Sequence, residues 1–259
     1  MVKNITHVHK PDYLMVVADV DALNRAVVDE IKTAAEAAIG EHGRFTIALS
    51  GGNTPRAVYA LLAENKDSFP WAKTFFFFGD ERSVPPDHPD SNYRMVNEAL
   101  FSRVPVPATN IFRVPAELGA AKAAERYEMV LREFFQLQPG KLQPGELQSG
   151  QFPRFDLILL GMGDEGHTAS LFPGSPAMAE TSRLVVSNWV EKLKTDRITF
   201  TFPVINNAGE AMFVVAGAGK AEIVKEVFTT EGEKYPVQHV HPQHGRLLWI
   251  VDQAAASLL

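Results

Sequence analysis

Apolar positions along this chain follow two rhythms, a helical recurrence and short unbroken runs. Leu23, Val27, Val28, Ile31, Ala35 and Ile39 recur at helical spacing and stop at Gly40 and Gly43, so a helix is expected ahead of the first inner strand. That strand is Phe45-Thr46-Ile47-Ala48-Leu49, and Val58, Leu61 and Leu62 then mark a second helix. Phe75 to Phe78 form the next strand, followed by a long polar loop from Gly79 to Asp90 and a helix from about Ser91 to Phe101. Further strands are expected at Ile111–Val114, Phe155–Leu160, Arg197–Phe202, Met212–Val215 and Leu247–Val251, with helices between most of them. Strands alternating with helices predict an α/β fold: an open, mostly parallel, Rossmann-like sheet covered by helices on both faces.

Composition narrows the class. With 259 residues, 46% of them hydrophobic and 22% charged, the chain can bury a large core, and one α/β domain over 1–259 is expected. The stretch Leu137 to Gln151 repeats Leu-Gln-Pro-Gly and Leu-Gln-Ser-Gly; strands of one character lie on both sides, so it reads as a surface insertion. A net charge of −6 without a basic cluster argues against nucleic acid or an acidic membrane surface as partner. No apolar run approaches membrane-spanning length and Met1 to Thr6 lack an apolar signal core, which predicts a cytoplasmic protein. The absence of cysteine removes disulfides, thiolate nucleophiles and cysteine metal sites together. A small molecule is the expected partner. The oligomeric state stays open, a monomer being one option.

Four segments at strand ends carry candidate chemistry. Gly161-Met162-Gly163-Asp164-Glu165-Gly166-His167 follows Phe155–Leu160 and sets carboxylates and an imidazole at the lip of the sheet, with His167 the acid/base candidate. Gly161, Gly163 and Gly166 also spell a dinucleotide pattern, but Pro173, Gly174 and Pro176 would break the long helix it requires. In Ser50-Gly51-Gly52-Asn53-Thr54-Pro55, Thr54 as N-cap and Pro55 as first helical residue would leave a helix N-terminus open to a phosphate. The loop from Gly79 is the third, and its position makes Asp80 and Arg82 the residues expected to face a cleft; a solvated loop is the alternative. Last, Gly217-Ala218-Gly219-Lys220 lacks the spacing of a nucleotide P-loop, yet Lys220 can neutralise a phosphate as a point charge, with Arg197 as a second cation. His239, His241 and His244 suggest zinc only weakly, since they lie in a turn-like stretch without a nearby carboxylate. No metal and no cofactor are expected.

Taken together, LSGGNTPRAVYALL, FFFFGDERSVPPDHPDSNYRM, FDLILLGMGDEGHTASLFPGS, RITFTFPVINNA, VVAGAGKAEIV and GRLLWIVDQAA resemble the 6-phosphogluconolactonase family, in the same order along nearly the whole chain. The resemblance implies a fold related to glucosamine-6-phosphate deaminase. It also implies metal-free hydrolysis of 6-phosphoglucono-1,5-lactone in the oxidative pentose phosphate pathway. On that expectation His167 performs both proton transfers, Arg82, held by Asp80 or Glu81, contacts the carbonyl or a hydroxyl, and Ser50 to Thr54, Arg197 and Lys220 hold the phosphate. Glu165 stands where the family usually has aspartate, which leaves its part in orienting His167 open. The related amino-sugar-phosphate deaminases carry a glutamate five residues after the histidine, where this chain has Phe172, and Asp-Glu-Tyr where it has Asp80-Glu81-Arg82. A non-catalytic sugar-phosphate sensor would need a helix-turn-helix, for which the residues before Phe45 are too few.

Overall fold

The structure is a computed structural model and describes residues 11–137 and 151–259. A short strand, β1 (Tyr13–Val17), precedes the first helix, α1 (Val20–His42). The Asp19 carboxylate caps that helix by accepting the Ala22 N–H at 2.8 Å, and the stripe Leu23, Val27, Val28, Ile31 and Ala35 is buried. Gly43, at φ 84°, ends it. Gly40 lies inside the helix, so only the second of the two expected stops terminates it. One interior glycine costs about 1 kcal/mol, less than the packing of the stripe returns.

The chain then runs through β2 (Phe45–Leu49), α2 (Asn53–Glu64), β3 (Thr74–Phe78), β4 (Asp80–Arg82), α3 (Asn92–Ala99), α4 (Ala120–Phe134), β5 (Leu157–Leu160) and β6 (Val185–Val190). After these come β7 (Thr195–Phe200), α5 (Phe202–Ile205), β8 (Glu210–Val215), α6 (Ala221–Thr229) and β9 (Arg246–Asp252). Six strands pair in parallel in the order β1-β9-β8-β5-β2-β3. Every residue of β2, β5 and β8 is buried, which requires cover on both faces of the sheet. A second, antiparallel sheet of three strands, β4-β7-β6, continues from the end of β3 through Gly79. Among the described residues no helix is long and apolar enough to cross a membrane.

Strand order locates the working edge. From β2 the chain moves to β3 on one side, and it later returns through β5 on the other. Connections leaving the C-terminal ends of two such adjacent strands diverge and open a crevice between them.

Some elements depart from the hydrophobic pattern. Ile111–Val114 makes a single bridge, Phe76 to Ile111, and is no strand; prolines at 107 and 115 bracket it, and Phe112 stacks on Phe77 at 4.6 Å. The strand expected at Arg197–Phe202 belongs to the small antiparallel sheet and stops at Phe200, because Phe202-Pro203 opens α5. The segment Gly79–Asp90 is not loop throughout, since Asp80–Arg82 form β4. The edge strands β1 and β6 were not expected from the pattern. Of the insertion expected at Leu137 to Gln151, residues 138–150 lie outside the described ones.

Candidate active site

The C-terminal ends of β2, β3 and β5 meet at a cleft of about 170 Å³. Ser50 and Gly51 line it after β2, Asp80 and Arg82 from β4, Asn92 from the first turn of α3, and Gly161, Met162, Gly163, His167 and Ala169 after β5.

The turn after β2 is rigid on one side and open on the other. The Ser50 N–H donates to the Tyr59 hydroxyl at 3.0 Å, and that hydroxyl donates to the Ser50 carbonyl at 2.8 Å. Gly52, at φ 108°, is the N-cap of α2, so Thr54 and Pro55 lie inside the helix instead of opening it. A backbone angle reserved for glycine lets the chain enter the helix earlier than the Thr-Pro pair suggested. No side chain caps this end, and the N–H groups of Gly51, Gly52, Asn53 and Thr54 donate no hydrogen bond among the described residues. Together with the helix dipole they form an anion-ready surface.

On β4, three adjacent residues do three different things. Glu81 is buried and accepts the N–H groups of Arg82, Asn92 and Tyr93 at 2.7–2.8 Å and the Ser91 hydroxyl at 3.2 Å, which fastens α3. Burial raises its carboxyl above the usual range, against the lowering effect of those N–H groups. Asp80 accepts the Ser170 hydroxyl at 2.7 Å and the Asn92 amide at 3.3 Å. Neither carboxylate holds the Arg82 guanidinium, contrary to expectation; it donates to the Asp90 carbonyl at 2.6 Å. Glu81 is fully occupied by the helix it caps. Across the small sheet Arg197 pairs in register with Arg82, and its guanidinium makes no hydrogen bond among the described residues. Burial first, then the charge of Arg82, holds its guanidinium below the ordinary value. Two arginines side by side repel each other until an anion joins them.

The turn after β5 is built around His167. Gly163 donates its N–H to the His167 carbonyl at 2.9 Å, and any Cβ on Gly163 would overlap the imidazole. Gly166 takes φ 71°, where a side chain would also strike Tyr235. Ala169, a non-glycine residue at φ 46°, is strained at the cleft wall. The His167 ring stacks on Phe172 at 4.0 Å, and its Nδ1 is buried without a hydrogen bond among the described residues; Glu165 Oε2 stands 3.5 Å away. Burial holds the imidazole below its ordinary value, although Glu165 and Asp80 oppose the shift. A neutral, half-buried imidazole is a competent base. Burial would raise Glu165, but its own N–H, Lys192 at 3.2 Å and His167 outweigh it and hold the carboxyl below the usual range.

Ser50, Gly51, Asp80, Arg82 and His167 therefore share one cleft, while Gly52, Asn53, Thr54, Glu165, Arg197 and Lys220 lie outside its walls. Lys220 pairs with Asp164 at 2.5 Å, and its charge reaches His167 and opposes protonation there. Asn92 and Ser170 are site residues that the sequence pattern did not single out, and Phe172 stood out only as the position where the deaminases carry a glutamate. The signal for the first was a serine N-cap before a helix that starts beside the charged loop. His239 and His241 both approach Glu233, at 3.1 and 3.4 Å, away from the cleft. Among the described residues no group of three or more histidine, aspartate or glutamate side chains is arranged to hold a metal ion.

Comparison with known proteins bears on the family and the fold. The family model described as glucosamine-6-phosphate isomerases/6-phosphogluconolactonase matches residues 18–249. A protein named 6-phosphogluconolactonase from Nostoc sp. is 44% identical over 247 residues, 94% of this chain and 97% of that one. Among solved structures, 6-phosphogluconolactonase from Trypanosoma cruzi aligns with a TM-score of 0.84 and 29% identity, covering 98% of this chain and 99% of the other. A monomeric glucosamine-6-phosphate deaminase at 20% identity, with a TM-score of 0.74 over 95% of this chain and 100% of its own, shares the fold.

Proposed function

Since the chain belongs to the glucosamine-6-phosphate isomerase/6-phosphogluconolactonase family, we propose that it hydrolyses 6-phospho-D-glucono-1,5-lactone to 6-phospho-D-gluconate, a step of the oxidative pentose phosphate pathway. The observation that carries this reading is a neutral-held imidazole, His167, in a cleft whose opposite wall, Ser50 and Gly51, leads into a turn of backbone N–H groups that donate no hydrogen bond among the described residues. His167 takes a proton from water as the water oxygen bonds to the lactone carbonyl carbon. The tetrahedral oxyanion then collapses, the bond from that carbon to the ring oxygen breaks, and the imidazolium returns its proton to the ring oxygen. The product is an open-chain acid that ionises. Arg82 supports the oxyanion or a ring hydroxyl, and Asp80, held by Ser170 and Asn92, opposes loss of positive charge at His167.

The remote phosphate is read as the anchor, held by the N–H groups of Gly51 to Thr54 and by Arg197, with Lys220 recruited from its pair with Asp164. Binding energy taken there restricts the reacting carbon and serves the chemical step. The site needs no metal on this reading. The amino-sugar route finds no support at Phe172, which lies flat against His167 and offers no carboxylate to relay protons. The location is read as cytoplasmic, and the whole chain as one α/β domain. The test is a coupled assay with freshly generated lactone, corrected for spontaneous opening. Hydrolysis well above that background is expected, and a rate equal to it would remove the reading.

A further inference from the structure

Asn92 occupies an unusual position for a carboxamide. It is buried, with 1% of its surface exposed, yet it lines the cleft. Its backbone N–H is spent on Glu81 at 2.7 Å, and its Nδ2 donates to the Asp80 carbonyl at 3.0 Å and to Asp80 Oδ1 at 3.3 Å. Two acceptors on the same side fix which way the amide points. Its Oδ1 consequently faces Gly51 and makes no hydrogen bond among the described residues. Gly51 leaves room for it, because a Cβ there would overlap the amide. Gly51 is not needed here for a left-handed angle. An apolar residue of the same shape would avoid the cost of an unpaired buried acceptor, so a retained acceptor at a cleft wall calls for a donor that arrives with the ligand.

We propose that Asn92 is a specificity-determining residue whose Oδ1 accepts a hydrogen bond from one ring hydroxyl of the phosphosugar lactone, while its Nδ2 keeps Asp80 in place. The inference rests on the lactonase reading and adds to it a point of recognition on the sugar, separate from the phosphate. It also explains the glycine at 51 as clearance for a side chain from another element.

The test compares kcat/KM of wild type and Asn92→Ala on 6-phosphogluconolactone and on its 2-deoxy, 3-deoxy and 4-deoxy analogues, each generated fresh by oxidation of the corresponding sugar phosphate. Loss of one neutral hydrogen bond to a buried acceptor corresponds to about tenfold. Wild type should discriminate against one analogue by about that factor, and Asn92→Ala should bring the same ratio close to one. Any disturbance of Asp80 lowers all four substrates together and divides out of the ratio. Gly51→Ala, which displaces the amide without removing it, should erase the same ratio and covers the case in which Asn92→Ala fails to fold. Unchanged discrimination in folded variants, or equal loss on all four substrates, overturns the proposal while leaving the lactonase reading intact. Failure of the wild type to hydrolyse the parent lactone overturns that reading, and this inference with it.

Discussion

The two ends of the same parallel strands treat their polar groups in opposite ways. At the N-terminal ends of β2 and β5 the Asp156 carboxylate accepts the Thr46 N–H and hydroxyl, both at 2.7 Å, and the His42 ring nitrogen at 2.9 Å. Arg246, at the start of β9, joins Glu210 and Glu30. At the C-terminal ends, Asn92 Oδ1, His167 Nδ1 and Thr168 Oγ1 are buried and, among the described residues, make no hydrogen bond, nor do the N–H groups after β2, and Ala169 is strained. One end closes its hydrogen bonds to hold strands together. The other keeps them open, and open polar groups gain their partners only from a ligand. Glu210 is the exception at the closed end: its Oε1 makes no hydrogen bond among the described residues, and burial pushes its carboxyl up to about 7 despite Arg246.

This contrast breaks most readily at His167. His167→Ala should lower kcat by roughly 10²- to 10⁴-fold with little change in the urea midpoint, as expected for losing a positioned acid/base. Near-normal turnover in the folded variant would move the chemistry to another residue. Next in size is Arg197→Ala, which should cost roughly 10- to 100-fold in kcat/KM on the phosphorylated lactone, the range for one charge-assisted contact. Unphosphorylated gluconolactone should be a poor substrate and should barely distinguish that variant from wild type. Equal losses on both substrates would put Arg197 at the reacting carbon or in the fold.

At the closed end the expected signature is reversed. Asp156→Ala removes an acceptor of three hydrogen bonds and should lower unfolding free energy by roughly 2 kcal/mol in urea titrations, while kcat per folded molecule stays unchanged. A drop in kcat without a stability change would erase the distinction between the two ends. The smallest effect is expected from Glu165→Gln. Glu165 raises the His167 pKa, so removing its charge should carry the acid limb of kcat/KM toward lower pH, and an opposite displacement would contradict its place beside the ring.

Much of this was legible in the sequence because it rests on local chemistry. Apolar runs, broken in β2 only by the buried Thr46, marked β2, β3, β5, β8 and β9, since strands buried on both faces do not alternate with polar residues. Glycine density marked both ligand turns, and charge density marked the loop holding Asp80 and Arg82. What escaped depended on distant partners. β4 is three charged residues whose strand state comes from pairing with β7, more than a hundred positions later. The same holds for Glu81, legible as a charge but not as the cap of α3, and for Asn92, whose neighbour Gly51 lies on another element. Thr54-Pro55 was misread as a helix start because the angle available to Gly52 outweighed the local signature of the pair.

The most direct measurement is kcat/KM for fresh 6-phosphogluconolactone across pH 5 to 8, corrected for spontaneous opening at each pH. A base held neutral by burial predicts a rate that falls on the acid side with a midpoint below the ordinary imidazole value of about 6.5, and His167→Ala should abolish that limb. A profile flat through this range, or an acid limb that survives His167→Ala, would contradict the assignment of His167 as the base of the open end.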